Sequence, residues 1–326
     1  MREGICACCL GLLLLLTSPA LSGQEGEIKG APPKLAVFAT ILPQAYFLER
    51  IGGRHLQIEV LVGPGQSPHT YEPTPRQMAK LAAARAFFAI GVPLEKGLLH
   101  KIGKTNPQLT IVETQRGVPL RYLDAHDHGA DKEGHHGNRQ SALPSGGKSG
   151  TDLSSMTNPA RKERQTPDPH IWMSPRLAKI QARNIHDALC RLDPAHKQDY
   201  GAGLRSFLED LDRVDTRIAR ALAPLRGGKI YVFHPAFGYF AEAYGMTQVS
   251  VEKGGKEPSA RQLSSLIAAA RKDGVRVIFV QRQFPARSAA AVAAAIGGTV
   301  MPIDPLARDY LTNLEKIAAA VERGQS

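Results

Sequence analysis

Hydrophobic and polar residues alternate along most of the chain with the periods of strands and helices in turn. In the first half, apolar runs predict strands at 34–40, 57–62, 86–90 and 109–113, and helical spacing predicts helices at 43–52, 75–84 and 94–102. In the second half, the predicted strands are 229–233, 248–251, 276–280 and 299–303, and the predicted helices are 238–244, 259–272, 286–296 and 311–322. Such alternation closes as a mostly parallel sheet with helices on both faces. We therefore predict an α/β fold of two lobes, each a mostly parallel sheet flanked by helices.

Helical spacing between the two series predicts a connecting segment. A helix is expected at 175–190, and a longer one at 195–225 carries apolar residues at helical intervals: Leu204, Phe207, Leu208, Leu211, Val214, Ile218 and Leu222. At about 1.5 Å per residue the longer helix approaches about 45 Å, enough to join two lobes. Since 326 residues exceed one typical domain, we expect two cores. The predicted boundaries are 23–194 for the N-terminal lobe, 195–226 for the linking helix and 227–326 for the C-terminal lobe.

The first 22 residues have the layout of a secretory signal peptide. Arg2 precedes an apolar stretch, and small residues allow cleavage near Ser22. No later segment has the roughly 18 uninterrupted apolar residues of a membrane span, so we expect an exported, soluble periplasmic protein. Three of the four cysteines fall inside the signal, which leaves Cys190 alone. A metal in the mature chain would therefore be held by histidines and carboxylates.

A polar segment at about 124–165 interrupts the pattern. It is rich in Gly, Ser, Lys, Asp and His, and predicts a long mobile loop in the N-terminal lobe. It carries four histidines, His126, His128, His135 and His136. Two interpretations stay open: a solvated linker, or a weak, fast-exchanging zinc-capture loop whose imidazoles bind without being preorganised.

The formal net charge of +11 raises the question of a nucleic-acid partner. Lysine and arginine are scattered, however, and the longest basic stretch is the short run at 161–164. No aromatic-plus-glycine RNA-binding signature accompanies it. We therefore expect no nucleic-acid binding.

Candidate metal ligands follow the predicted strands, where open α/β sheets bind their ligands. His69 lies in the proline-rich stretch 63–73, and His170 lies between prolines just before a predicted helix. His234 follows the first strand of the second lobe, and Asp304 follows its last strand. Three imidazoles and one carboxylate, two from each lobe, would form a roughly tetrahedral shell suited to Zn²⁺.

Other roles for these residues remain open. Asp304 could cap the following helix or form a turn with Pro305, and Asp168 could either orient an imidazole or form a turn.

A site with four protein ligands has no open position for substrate water, which favours metal carriage over catalysis. A secreted zinc hydrolase is the alternative from another class, although the sequence has no His-Glu-x-x-His or Gly-x-Ser-x-Gly stretch. A surface adhesin is a third alternative. The absence of a lipid-attachment cysteine after the apolar stretch argues against it.

Five motifs carry a resemblance to a known family. They are Pro-His-Thr-Tyr-Glu-Pro at 68–73, Asp-Pro-His-Ile-Trp at 168–172, Phe-His-Pro-Ala-Phe-Gly-Tyr-Phe at 233–240, Glu-Pro-Ser at 257–259 and Asp-Pro-Leu at 304–306. From about residue 34 onward the chain resembles the zinc- and manganese-binding periplasmic receptors of metal ABC transporters. The resemblance implies two α/β lobes joined by a long rigid backbone helix. It also implies His69, His170 and His234 as ligands, with Asp304 fourth or replaced by water.

The function implied is that of a non-enzymatic, high-affinity receptor, expected to be a monomer, that delivers Zn²⁺ to the membrane permease of an ABC importer. Manganese-binding members often present a carboxylate where this chain has His234, and imidazole is the softer ligand that zinc prefers. Zinc is therefore the expected cargo, with a manganese or iron receptor as the alternative. The family commonly carries Glu at the position of Gln281, so we leave Gln281 out of the expected site.

Overall fold

The structure is a computed structural model that describes residues 33–123, 166–252, 256–284 and 287–325. The predicted signal peptide and the four histidines of the 124–165 segment lie outside the described residues. The described residues from Lys34 onward belong to one compact unit. Within the described residues, no helix combines the length and apolarity needed to cross a membrane.

The first sheet contains four parallel strands in the order β2-β1-β3-β4. Its strands are β1 (Leu35–Ile41), β2 (Leu56–Val62), β3 (Ala86–Ala89) and β4 (Thr110–Glu113), and its helices are α1 (Leu42–Gly52), α2 (Pro75–Ala82) and α3 (Pro93–Thr105). The central strand β3, Ala-Phe-Phe-Ala, is buried throughout, as expected for a parallel strand covered on both faces. The predicted elements are confirmed, with ends displaced by up to three residues.

The connecting segment holds α4 (Pro175–Leu192) and α5 (Lys197–Ala221). The 25 residues of α5 span about 37 Å, less than predicted, because Pro194–His196 and Ala223–Leu225 form separate 3₁₀ turns at its two ends. It packs against α1 and α4 in the first half of the molecule. Gly203 permits the close approach to α1, since a Cβ there would lie 2.5 Å from the carbonyl oxygen of Ile51.

The second sheet repeats the first, with four parallel strands in the order β6-β5-β7-β8. Its strands are β5 (Lys229–Val232), β6 (Thr247–Ser250), β7 (Val277–Gln281) and β8 (Thr299–Ile303), and its helices are α6 (Gly238–Ala243), α7 (Ala260–Lys272), α8 (Arg287–Ala295) and α9 (Tyr310–Gln325). Helix α9 packs on α5, so α5 contacts both halves. The two α/β lobes and the long backbone helix are therefore confirmed, while the lobe boundaries 23–194, 195–226 and 227–326 stay predictions.

The hydrophobic core differs from the expectation of one core per lobe. A single large cluster runs through both halves, from Val37 in β1 to Val321 in α9. A smaller cluster, which includes Tyr231 and Val292, lies in the second half among β5, β7, α7 and α8. The reason is that α5 packs with α1, α4 and α9, which joins the apolar interiors of the two lobes.

Candidate metal centre

Three histidines from distant parts of the sequence meet at the carboxyl ends of the strands. His69, His170 and His234 each offer a ring nitrogen, and these nitrogens all lie within 4.8 Å of one another. The ring centroids are 5.8 Å apart for His69 and His170, 4.7 Å for His69 and His234, and 5.3 Å for His170 and His234. The structure thus brings together the three imidazoles that the sequence singled out.

His69 lies on the loop that connects β2 to α2. Its backbone N–H donates to the hydroxyl of Ser67 at 3.3 Å, and Gly65 supplies the left-handed backbone conformation (φ 73°) that the turn requires. Downstream, a capping box between Thr74 and Gln77 fixes the start of α2. The residue as a whole is exposed, but its ring packs against the other two rings, which shield it from solvent on that side. Desolvation of the ring and the neighbouring imidazoles lower the pKa of His69 to about 3, so the ring is neutral at pH 7.

His170 is held by the carboxylate two residues before it. Oδ1 of Asp168 lies 2.7 Å from Nδ1 of His170 and accepts a hydrogen bond from its backbone N–H at 3.0 Å. Asp168 is fully buried and His170 is nearly so. Although burial alone would raise the pKa of Asp168, its contacts with His170 and Arg121 outweigh that effect and lower the pKa. Of the two roles left open for Asp168, orientation of an imidazole matches these contacts.

Arg121 joins this carboxylate to the second half of the molecule. Its Nη1 donates to Oδ2 of Asp168 at 2.6 Å, and its Nε donates to Oε1 of Glu242 in α6 at 2.9 Å. The guanidinium lies so close to Gly238 that a Cβ there would stand 1.6 Å from Nη1. The hydroxyl of Tyr239 donates to the carbonyl oxygen of Asp168 at 3.0 Å. The His170 loop is therefore tied to α6 by charged and neutral hydrogen bonds.

His234 follows β5 and is fixed from both neighbouring strands. Oε1 of Gln281, the last residue of β7, accepts from the His234 backbone N–H at 3.1 Å, and its Nε2 donates to the His234 carbonyl oxygen at 2.7 Å. Just past β6, Oε2 of Glu252 lies 2.9 Å from Nδ1 of His234. Phe284 stacks on the imidazole, with centroids 4.5 Å apart. Burial lowers the pKa of His234, which keeps its ring neutral.

Asp304 follows β8, but its carboxylate is not part of the group of converging ligand atoms. Its Oδ1 accepts hydrogen bonds from Nε2 of Gln283 and from the backbone N–H of Leu306, both at 2.9 Å. The next residue, Pro305, accepts a hydrogen bond from Nε1 of Trp172 at 2.8 Å, so the Asp304 loop contacts the His170 loop. Metal ligation by Asp304 stays a prediction.

The donor set fits a zinc ion. In both His170 and His234 a carboxylate occupies the Nδ1 side, which fixes Nδ1–H and leaves Nε2 with a lone pair to donate. Nε2 of His234 is buried, and no protein atom among the described residues pairs with it, as expected for an atom that a ligand satisfies. The same pocket is also lined by Ser67, Pro68, Trp172, Ala236, Phe284 and Leu306.

Zinc binding would draw the rings closer together. With Zn–N bonds of about 2.0–2.1 Å, tetrahedral geometry sets ligand nitrogens about 3.3 Å apart. The nitrogens here lie within 4.8 Å of one another, so a movement on the order of 1 Å would suffice. Side-chain and loop adjustment on that scale is ordinary in binding sites.

Sequence reasoning did not identify several residues that support the site. Glu252, Gln281, Gln283 and Arg121 were not among the predicted site residues, and Gln281 was deliberately left out. Each of the first three lies at or just after the end of β6 or β7. Position relative to the strand ends was therefore the signal that could have found them.

Comparison with known proteins supports the interpretation of this site as a zinc site. The sequence model of the family described as zinc-uptake complex component A, periplasmic, matches residues 37–324. The high-affinity zinc uptake system protein ZnuA of Yersinia pestis is 28% identical over 278 residues, which cover 83% of this chain and 83% of that relative. The zinc-binding protein AdcA of Streptococcus pyogenes is 26% identical over 323 residues, which cover 94% of this chain. This chain spans only 59% of the length of AdcA.

Among solved structures, a ZnuA deletion mutant with zinc bound superimposes with a TM-score of 0.75 at 33% identity. The match covers 90% of this chain and 99% of that one. The resemblance seen in the five sequence motifs is thus confirmed over nearly the whole described chain. The chain belongs to the family of periplasmic zinc-uptake complex component A proteins.

Proposed function

We propose that this protein is a receptor that binds Zn²⁺ with His69, His170 and His234 and delivers it to the permease of an ABC importer. One observation carries the proposal: three ring nitrogens, from loops at the carboxyl ends of both sheets, lie within 4.8 Å of one another. A single ion bound there would bridge the two halves of the molecule. The zinc-uptake family to which the chain belongs supports the same function.

Zinc is favoured over manganese by the chemistry of the donors. Three neutral imidazoles form a softer set than the carboxylate and water oxygens that suit manganese. The two buried carboxylates, Asp168 and Glu252, contact the outer nitrogens of His170 and His234, so they stabilise the charge of the ion without supplying ligand atoms. A manganese or iron receptor remains the alternative, and competition between Zn²⁺ and Mn²⁺ for the purified protein distinguishes the two.

A secreted zinc hydrolase is disfavoured because the family is one of metal-uptake components. The zinc-loaded protein should therefore show no chelator-sensitive turnover of ester, peptide or phosphate substrates. Turnover of that kind would contradict a simple carrier.

The zinc site is tested by replacing its most buried ligand. His170→Ala should lower zinc affinity at least about tenfold in calorimetry, since loss of a ligand removes one of the three metal–nitrogen bonds. His100→Ala is the matched control, because His100 is exposed on α3 and lies outside the cluster. Unchanged zinc binding by His170→Ala would remove this residue from the site.

Export and delivery need separate measurements. The mature protein should begin after Ser22, which mass spectrometry of protein from the periplasm determines. Size-exclusion chromatography with light scattering should show a monomer.

Delivery is tested in cells that lack the chromosomal gene for this protein. Their zinc uptake should be restored by the wild-type chain and not by His170→Ala. Equal restoration by both would disconnect this site from transport.

A further inference from the structure

A glutamine that does not belong to the predicted ligand set faces the same pocket as the three histidines. Gln283 follows β7 and lines the pocket together with His69, His170 and His234. Its Oε1 atom is buried and has no hydrogen-bond partner among the described residues. A buried amide oxygen without a partner is unfavourable, so an unpaired one that lines a binding pocket indicates a water or a ligand group that donates to it there.

The orientation of this amide follows from its neighbour. Nε2 of Gln283 donates to Oδ1 of Asp304 at 2.9 Å. An ionised carboxylate only accepts hydrogen bonds, so Asp304 must face the NH₂ side of the amide, and Oε1 is thereby turned to the opposite side. The same oxygen of Asp304 also accepts from the backbone N–H of Leu306, which holds the carboxylate in place.

Among the described residues, the pocket therefore contains two buried acceptors without partners, Nε2 of His234 and Oε1 of Gln283. Zinc with three imidazole ligands keeps a fourth tetrahedral position, which water commonly fills. Such a water gives one lone pair to the metal and has two hydrogens to donate. It would satisfy Oε1 of Gln283 just as the metal satisfies Nε2 of His234.

We propose that Gln283 is a positioning residue of the zinc site, whose Oε1 accepts a hydrogen bond from a water that is the fourth ligand of the metal. Asp304 is then not a ligand; it acts through Gln283 by fixing the direction of the amide. This inference rests on the proposed zinc site and specifies its fourth position. It also accounts for why Asp304 is engaged by Gln283 and Leu306 rather than turned toward the histidines.

A double-mutant cycle tests the assignment, with zinc affinity measured by chelator competition. Gln283→Met keeps the length of the side chain and removes its oxygen, and it should weaken zinc binding about tenfold, as losses of outer partners at metal sites do. Asp304→Asn should weaken binding to a similar degree, because an asparagine can present either end to Gln283 and no longer fixes its direction. If Asp304 acts only through Gln283, Asp304→Asn should cost nothing further in the Gln283→Met background.

Two results would overturn the proposal. One is zinc affinity of Gln283→Met within about twofold of wild type, since a lost water-bonding partner at a metal site costs more than that. The other is further weakening when Asp304→Asn is added to Gln283→Met, which would assign Asp304 as a direct ligand. Gln108→Met, the same change at an exposed loop position, is the matched control and should bind zinc like wild type.

A structure of the zinc-bound wild-type protein gives an answer that does not depend on the folding of any variant. It should show a water on the metal within about 3.2 Å of Oε1 of Gln283. A carboxylate oxygen of Asp304 in that position instead would refute the assignment. Failure here is distinguishable from failure of the zinc site itself, because wild-type protein that binds no zinc would contradict the proposed function before any variant is made.

Discussion

The carboxylate of Glu252 tests how strongly the site depends on charge that does not touch the metal. Glu252 is 4% exposed, and its Oε2 lies 2.9 Å from Nδ1 of His234. Glu252→Gln keeps the size of the side chain and an oxygen that accepts from Nδ1–H, so the tautomer of His234 is preserved. The substitution removes one negative charge and leaves the ligand nitrogen in place.

The size of the effect follows from the geometry. A metal on Nε2 of His234 would lie roughly 6 Å from the Glu252 oxygen, given a Zn–N bond of about 2.1 Å. A doubly charged ion and one negative charge at that distance attract by about 5 kcal/mol at an effective dielectric constant of about 20, and by about 1.4 kcal/mol in bulk water. Loss of an outer partner of a metal-bound histidine costs about 10–100-fold in affinity, or about 1.4–2.7 kcal/mol. We therefore expect Glu252→Gln to weaken zinc binding about 10–100-fold.

The assay is chelator-competition titration at constant pH, with Glu72→Gln as the matched control. Glu72 is exposed three positions after His69, so the control makes the same change in net charge where solvent and salt screen it. The control should change zinc affinity less than about twofold at physiological ionic strength. The reasoning fails if Glu252→Gln weakens binding less than about threefold, because that loss is below the attraction expected even in bulk water.

Three further predictions concern the segment outside the described residues, the Arg121 contact and the metal itself. Replacement of 124–165 by Asn-Gly should leave zinc affinity within about twofold of wild type. The backbone N–H of Leu123 already donates to the carbonyl oxygen of Thr166, so a two-residue turn can connect these two residues. Loss of tight binding in calorimetry would show that the segment supplies a ligand. Gly238→Ala should displace the Arg121 guanidinium and lower both the zinc affinity and the melting temperature. Unchanged values of both would show that Arg121 can move away from residue 238 without cost. Zinc at about 100 times its dissociation constant should raise the free energy of unfolding by about 2.7 kcal/mol, and excess chelator should reverse the increase. If the free energy of unfolding does not rise, zinc does not bind the folded state.

The fold was predictable because parallel strands covered on both faces appear as short, wholly apolar runs. Ala-Phe-Phe-Ala in β3 and Val-Ile-Phe-Val in β7 are of this kind. The ends of the connecting helix α5 were not predictable from periodicity, because the 3₁₀ turns at Pro194–His196 and Ala223–Leu225 adjoin the helix at its two ends. The merged core was also missed, since packing of α5 on α9 brings together residues about 100 positions apart.

The candidate ligands were predictable for a different reason from the residues that support them. Prolines flank His69, His170 and His234 in motifs that can be seen locally in the sequence. The partners of His234, by contrast, depend on the order of strands in the sheet. Because β5 lies between β6 and β7, the loop after β5 is flanked by Glu252 from one neighbour and Gln281 from the other. Alternation of strands and helices does not determine that order. Position at a strand end therefore marks both residues as candidates, but no local pattern pairs either of them with His234.

The three histidines differ in how firmly the protein holds them before any metal binds. Asp168 fixes the ring of His170, while Glu252 fixes the ring of His234 and Gln281 its backbone. For His69, within the described part of the chain, the hydrogen bond is made by its backbone N–H to a neighbouring serine, and its ring packs against the other two imidazoles. Two ligands are therefore preorganised by side-chain partners, whereas among the described residues no carboxylate or amide orients the ring of the third. That asymmetry suits a carrier, because a site in which every ligand was rigidly fixed would bind zinc without offering a low-cost route for its entry and release.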